Sequence, residues 1–220
     1  MGKWLYTLAA VAFGVKMIFL VHPVPESPLE IVKAVVQDSG IPNAVSAIIL
    51  RNRLFDTVSE VIVFTIAIMG VSGMMANERP LSRIVQLTDP PSVVLAQLGA
   101  TIAALVGVEL ALRGHLSPGG GFAAGVAGGT AIGLIAMTSP PQFLQHIYQR
   151  WHVSTWEKLA VLTFITLSLL TLLGFALPQG ELGALVSGGM IPILNVLVAI
   201  KVTLGSWAMV LVFIRYRGLL

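Results

Sequence analysis

Arg113-Gly114-His115-Leu116-Ser117-Pro118-Gly119-Gly120-Gly121-Phe122 joins two apolar runs, residues 93–112 and 120–138. Each run carries about the 20 apolar residues that a bilayer core requires. One proline followed by three glycines allows a very tight turn, because glycine reaches positive φ without a Cβ clash. The helix that follows can then begin with free backbone N–H groups facing the turn, a place for an anionic or polar group. Read alone, Pro118, Gly119, Gly120, Gly121 and Phe122 are either a helix-hairpin turn with no chemistry or the floor of a site.

Composition assigns the class. Hydrophobic residues make up 56% of the 220-residue chain and charged residues 10%, with a mean hydropathy of +0.90. A soluble domain has roughly 45–50% apolar and about 25% charged residues. The chain is therefore expected to be an all-α polytopic membrane protein embedded in a lipid bilayer. Six apolar segments are long enough to span it: residues 4–21, 55–76, 93–112, 120–138, 159–177 and 190–214. The first is followed by His22-Pro23-Val24-Pro25 and no small-residue cleavage site, so it reads as a retained helix and not a signal peptide. With both termini in the cytoplasm, Lys3, Arg79, Arg83, Arg150, Lys158, Arg215 and Arg217 fall inside. Lys33, Arg51, Arg53 and Arg113 fall outside, so the positive-inside bias favours that orientation.

The net charge of +3 comes from Lys and Arg at segment ends, and no nucleic-acid partner is expected. The absence of cysteine excludes disulfides and Cys-ligated clusters within the chain. His22, His115, His146 and His152 lie at segment ends without metal-ligand spacing. There is no phosphate loop, nucleophile elbow or HExxH helix. The expectation is a protein without metal, cofactor or enzymatic activity of its own.

The chain divides into residues 1–76, a linker at 77–91 and a four-helix part at 92–220. In the first part, residues 29–36 read as a short interfacial helix with Ser27 as cap and Pro28 at its first position. Residues 41–50 are apolar but too short to span, and read as a re-entrant or interfacial piece.

The turn string resembles the GH-x-x-PGGGF signature of the B-type subunits of the Mrp (Mnh) multi-subunit cation/proton antiporters. The wording PILNVLVAIKVTLGSWAMV at residues 192–210 fits the same four-helix domain. Residues 43–71 resemble the tail of the A-type subunits of those antiporters and the small subunits of membrane-bound hydrogenases. Asn43, Arg51, Arg53, Asp56, Thr57 and Glu60 supply the polar positions, with Ser59 where that pattern has glycine. The resemblance implies a membrane subunit of a sodium/proton antiporter, in the cytoplasmic (inner) membrane of a bacterium or archaeon. It implies other antiporter subunits as partners, with Na+ and H+ as the transported ions. The alternative it leaves open is a structural subunit of a related redox-driven complex, membrane-bound hydrogenase or complex I-like.

Ionisable residues inside membrane segments are rare and mark candidate proton or cation paths. Asp56 and Glu60 are spaced i, i+4, on one helix face, where two acids can share a proton. Asp56 reads equally as a cap paired with Arg53. Lys201 lies near the middle of residues 190–214, where a lysine costs roughly 2.5–3.5 kcal/mol and snorkels with difficulty. Its alternative is a structural ion pair. Glu109, Arg113 and His115 are secondary candidates, with Glu109 and Arg113 at the spacing of a local pair. Gly121, Gly125, Gly129 and Gly133 form a small-residue stripe for close helix packing, inside the chain or against a neighbouring subunit.

Overall fold

The structure is a computed structural model and describes residues 2–19, 27–81 and 84–218. It forms two compact units, Met1–Ala34 and Val35–Leu220. The first holds α1 (Gly2–Phe19) and the start of α2 (Pro28–Ser39). The expected span at 4–21 is thus helical over 18 residues, while its end and the His22–Pro25 segment lie outside the described residues. The expected short helix at 29–36 begins at Pro28, as its proline requires, and runs on to Ser39.

The second unit is an all-helical bundle. Five helices among the described residues are long and apolar enough to cross a membrane. They are α4 (Leu54–Met75), α5 (Pro90–Arg113), α6 (Gly120–Thr138), α8 (Val153–Leu172) and α9 (Ile191–Arg217). They correspond to the second to sixth expected segments. Asp89 fixes the start of α5 by accepting from the Ser92 N–H at 3.1 Å, with prolines at the first helical positions. The Ser92 hydroxyl, and then this N–H, hold the Asp89 carboxyl below its ordinary value.

The short elements close the two ends of the bundle. At the turn end lie α3 (Ala44–Ala47), a π-helical turn (Ile48–Asn52), the Gly114–Gly119 turn and the loop after α8. Gln179 donates to the Asp38 carbonyl at 2.8 Å, and Arg51 pairs with the Asp38 carboxylate at 3.3 Å, which ties that loop down. At the opposite end, residues 77–81 are anchored by Glu78–Arg217 at 2.7 Å and by the Leu81 N–H to the Arg215 carbonyl at 3.0 Å. α7 (Pro141–Arg150), an element absent from the sequence expectation, packs Leu144 beside Ala136 and Ile214 there. Its Tyr148 ring meets Trp207 edge-on at 5.6 Å.

The main core joins the apolar piece at 41–50 to three helices: Ile41, Ala47 and Leu50 bury against Leu54 and Val61 of α4, Phe164 of α8 and Leu194, Val198 and Val202 of α9. That piece is therefore packed on protein, the condition under which irregular backbone is tolerated at a membrane boundary. The glycine stripe determines how close α6 comes to α9. A Cβ at Gly121 would lie 2.4 Å from the Asn195 carbonyl oxygen, at Gly125 2.4 Å from Val202, and at Gly129 2.6 Å from Ser206. Those three glycines pack inside the subunit, whereas Gly133 has nothing within 4 Å. The other face of α6 meets α5 as closely, since a Cβ at Gly107 would sit 3.1 Å from the Ala124 carbonyl.

Candidate functional site

The turn is held from two sides. Gly119 and Gly120 adopt φ of 140° and 85°, backbone that side-chain-bearing residues rarely reach. Asn195 of α9 donates to the Leu110 and Ala111 carbonyls at 3.2 and 2.7 Å, satisfying the end of α5. Asn43 does the equivalent from the other side. Its Nδ2 donates to the Gly114 and Ser117 carbonyls at 2.8 and 2.7 Å, while its Oδ1 caps α3 by accepting from Val45 and Ser46 N–H groups. Ser46 adds a bond to the Gly114 carbonyl at 2.6 Å. The two sequence regions that carry separate resemblances thus meet in one hydrogen-bonded knot. His115 is at its centre, fully buried, its ring near the Leu185 and Ala184 backbone but with neither nitrogen in a hydrogen bond of good geometry among the described residues. Burial holds its imidazole below the ordinary value, against the opposing pull of the nearby backbone of Leu185 and Ala184. Pro118 is exposed, and Phe122 packs against the main core.

The deepest charge is Lys201. It is fully buried, and its Nζ has no hydrogen-bond partner among the described residues. The ammonium sits 3.9 Å from the centre of the Phe64 ring, a cation–π contact worth ~2 kcal/mol when desolvated. Its electrostatic partner is Glu157 of α8, itself only 9% exposed. Gly205 has no room for a side chain: a Cβ there would be 2.5 Å from Ile68, 3.0 Å from Phe64 and 3.2 Å from Glu157 Oε1. The glycine lets α4, α8 and α9 close around the two charges. A buried lysine and glutamate of this kind can hold or pass a proton between them, because each is costly when charged alone.

The other candidates lie elsewhere. Asp56 is paired with Arg53 in the first turn of α4. Glu60 is exposed on the outside of α4, without a basic partner among the ion pairs of the described residues. Glu109 and Arg113 are exposed and pair with each other at 3.0 Å. The structure therefore brings together Lys201 and Glu157, and separately His115 with the turn. It does not bring Asp56 or Glu60 to either. Glu157 escapes a reading of the sequence because the fifth apolar run begins only at residue 159, which leaves it outside the membrane beside Lys158. The spacing Glu157, Ala160, Phe164, Ser168, one buried stripe of α8, is the signal that could have found it.

The family profile described as the domain related to the MnhB subunit of Na+/H+ antiporter matches residues 91–208, more than half of the chain. No curated protein matches the chain. Among solved structures, a chain of the membrane-bound sulfane sulfur reductase (MBS), an archaeal respiratory membrane complex, is similar. It is 23% identical with a TM-score of 0.69, over 97% of both chains. A chain of the Mrp complex from Dietzia sp. DQ12-45-1b is 18% identical with a TM-score of 0.62, over 99% of this chain and 26% of that one. At these identities the two structures establish the fold, which both share along nearly the whole of this chain. The matched profile covers the turn, the glycine stripe, Glu157 and Lys201 together, and this multi-pass membrane chain belongs to the family of domains related to the MnhB subunit of Na+/H+ antiporters.

Proposed function

We propose that this chain is a membrane subunit of a multi-subunit sodium/proton antiporter and contributes to both its assembly and its proton or cation path. The observation that carries the reading is Lys201, fully buried at mid-span beside Glu157 in an MnhB-related domain. A lysine in such a place is retained against an insertion cost of roughly 2.5–3.5 kcal/mol, which an idle charge does not justify. Glu60 has a different part. It is an acid on an outward, apolar face of α4, and a partner subunit supplies the group that meets it. Any redox chemistry in the assembled complex belongs to partner subunits. A second reading is favoured by the full-length likeness to a chain of an archaeal respiratory membrane complex: a structural subunit of a redox-driven relative, with its charges only holding helices together.

Purifying the native complex through this subunit separates the two. Antiporter subunits should co-purify, and the complex in liposomes should move protons when a sodium gradient is imposed. Iron–sulfur subunits in the preparation, with no sodium-driven pH change, would establish the second reading.

We read the end opposite the turn, where Arg79, Arg150, Lys158, Arg215 and Arg217 collect, as cytoplasmic together with both termini, and the positive-inside bias supports that reading. The membrane is the cytoplasmic (inner) membrane of a prokaryote. Reporter fusions after Gly218 and within residues 77–81 should read cytoplasmic, and one at Gly180 external. An external reading at Gly218 would reverse the orientation.

A further inference from the structure

Among the described residues, seven buried side-chain nitrogen and oxygen atoms have no hydrogen-bond partner. They are both ring nitrogens of His115, Ser168 Oγ, Ser187 Oγ, Asn195 Oδ1, Lys201 Nζ and Trp207 Nε1. Folded proteins pair the large majority of such atoms, and each one left alone costs ~1–3 kcal/mol. Six of the seven are not scattered; the seventh, Trp207 Nε1, belongs to the ring that meets Tyr148 at the opposite end. His115 and Ser187 belong to the turn end of the bundle. Asn195 is one turn inside α9 and Ser168 one turn before the end of α8, so both lie about 6 Å below that end. Lys201 is six residues further along α9, about 9 Å deeper. Glu157 is level with Gly205, another ~6 Å on. Beyond it, at the opposite end, comes Tyr148 of α7, whose phenol is held above its ordinary value by burial and then by the charge of Glu157.

Ser168 distinguishes this arrangement from ordinary packing. Elsewhere in these helices Ser59, Thr65, Thr101, Thr130 and Thr171 turn their hydroxyls back onto the carbonyl four residues earlier. Ser168 is fully buried and does not, leaving its hydroxyl free on the same stripe as Glu157. Asn195 likewise commits its amide NH2 to α5 and leaves its carbonyl oxygen unpartnered.

We propose that these groups form a proton-conducting line through the interior of this one chain, from the His115 turn past Asn195 and Ser168 to Lys201 and Glu157, with water molecules as the links. The offsets along the helix axes, about 6–9 Å each, are within reach of the lysine arm or of one or two bridging waters. A proton enters at one end, is held by the Lys201 amine as ammonium, and leaves through Glu157 toward α7 or in the reverse direction. One proton is moved and no other bond changes. The inference rests on the antiporter reading and assigns the route to the α8–α9 interface, not to the outer face of α4.

The test uses the assembled complex in liposomes. A buried, unpartnered serine with only a packing role is replaced by alanine at no cost or with a gain. Ser168→Ala should therefore assemble normally and yet slow sodium-driven proton movement by about a hundredfold, the low side of what a positioned proton-transfer group contributes. The chain has no cysteine, so Ser168→Cys gives a clean second readout. Thiols react as hydrated thiolates, and Ser168→Cys in this subunit should label with a small water-soluble thiol reagent about tenfold faster than Ala136→Cys, buried in the α6 packing. Labelling also decides the matter should Ser168→Ala fail to assemble. Wild-type proton movement by Ser168→Ala, or equal labelling of the two cysteines, overturns the line. If Lys201→Met is slow while Ser168→Ala is normal, the antiporter reading stands and the line falls. If both move protons at the wild-type rate, both fall.

Discussion

Membranes expressing Gly121→Val should contain little or none of this subunit in assembled complex. The added Cβ would lie 2.4 Å from the Asn195 carbonyl oxygen and 2.8 Å from Val198 Cβ. The first of these is helix backbone and cannot rotate away. Relief requires α6 and α9 to separate, which also loosens the Asn195 bonds to the end of α5. Overpacking of this kind costs ~1–3 kcal/mol where side chains can adjust, and more where backbone must move. The comparison variant is Gly133→Ala, on the same stripe with nothing within 4 Å, which should assemble as wild type and gain slightly from helix propensity. A blot of purified complex for this subunit reads both. Equal recovery of Gly121→Val and wild type would mean that the α6–α9 contact is not what the glycines serve.

The fold is legible in the sequence where one physical pattern dominates. Apolar runs of bilayer length mark α4, α5, α6, α8 and α9, and the Pro-Gly-Gly-Gly string marks the turn between α5 and α6. The boundaries are less legible. α8 begins six residues before the apolar run does, because Ser154, Thr155, Glu157 and Lys158 dilute its first turns although Glu157 is buried. α7 escapes because its ten residues mix apolar and polar side chains and its role, covering Ala136 and Ile214, exists only once the bundle has formed.

The candidate site shows the same division. Lys201 stands out in sequence because a lysine at mid-span is costly, and the structure puts it in full burial. Its neighbour Glu157 does not stand out, since the pairing is made across two helices and leaves no spacing in the chain. Asp56 and Glu60 share a helix face as their spacing requires. Which way that face points is a property of the packed bundle, and it points outward for Glu60. Asn43 and Asn195 carry ordinary sequence signals, yet they hold the turn from opposite sides. Backbone carbonyls at a helix end must find donors wherever the fold brings them, and no local pattern announces which donors these are.

The direct test of Lys201 as part of the path of the transported proton or cation is sodium-driven proton movement by liposomes containing wild-type, Lys201→Met, Glu157→Gln and the double variant, each with its assembly quantified. Removing one member of a buried charged pair can cost about 3–5 kcal/mol and mimic loss of transport, so assembly must be read alongside. The double variant, with neither charge left uncompensated, should assemble as wild type. It and Lys201→Met should lose proton movement by about a hundredfold, the effect of deleting a proton-transfer group. A double variant that assembles and moves protons at the wild-type rate would show that Lys201 and Glu157 only hold α8 and α9 together, and would contradict the account.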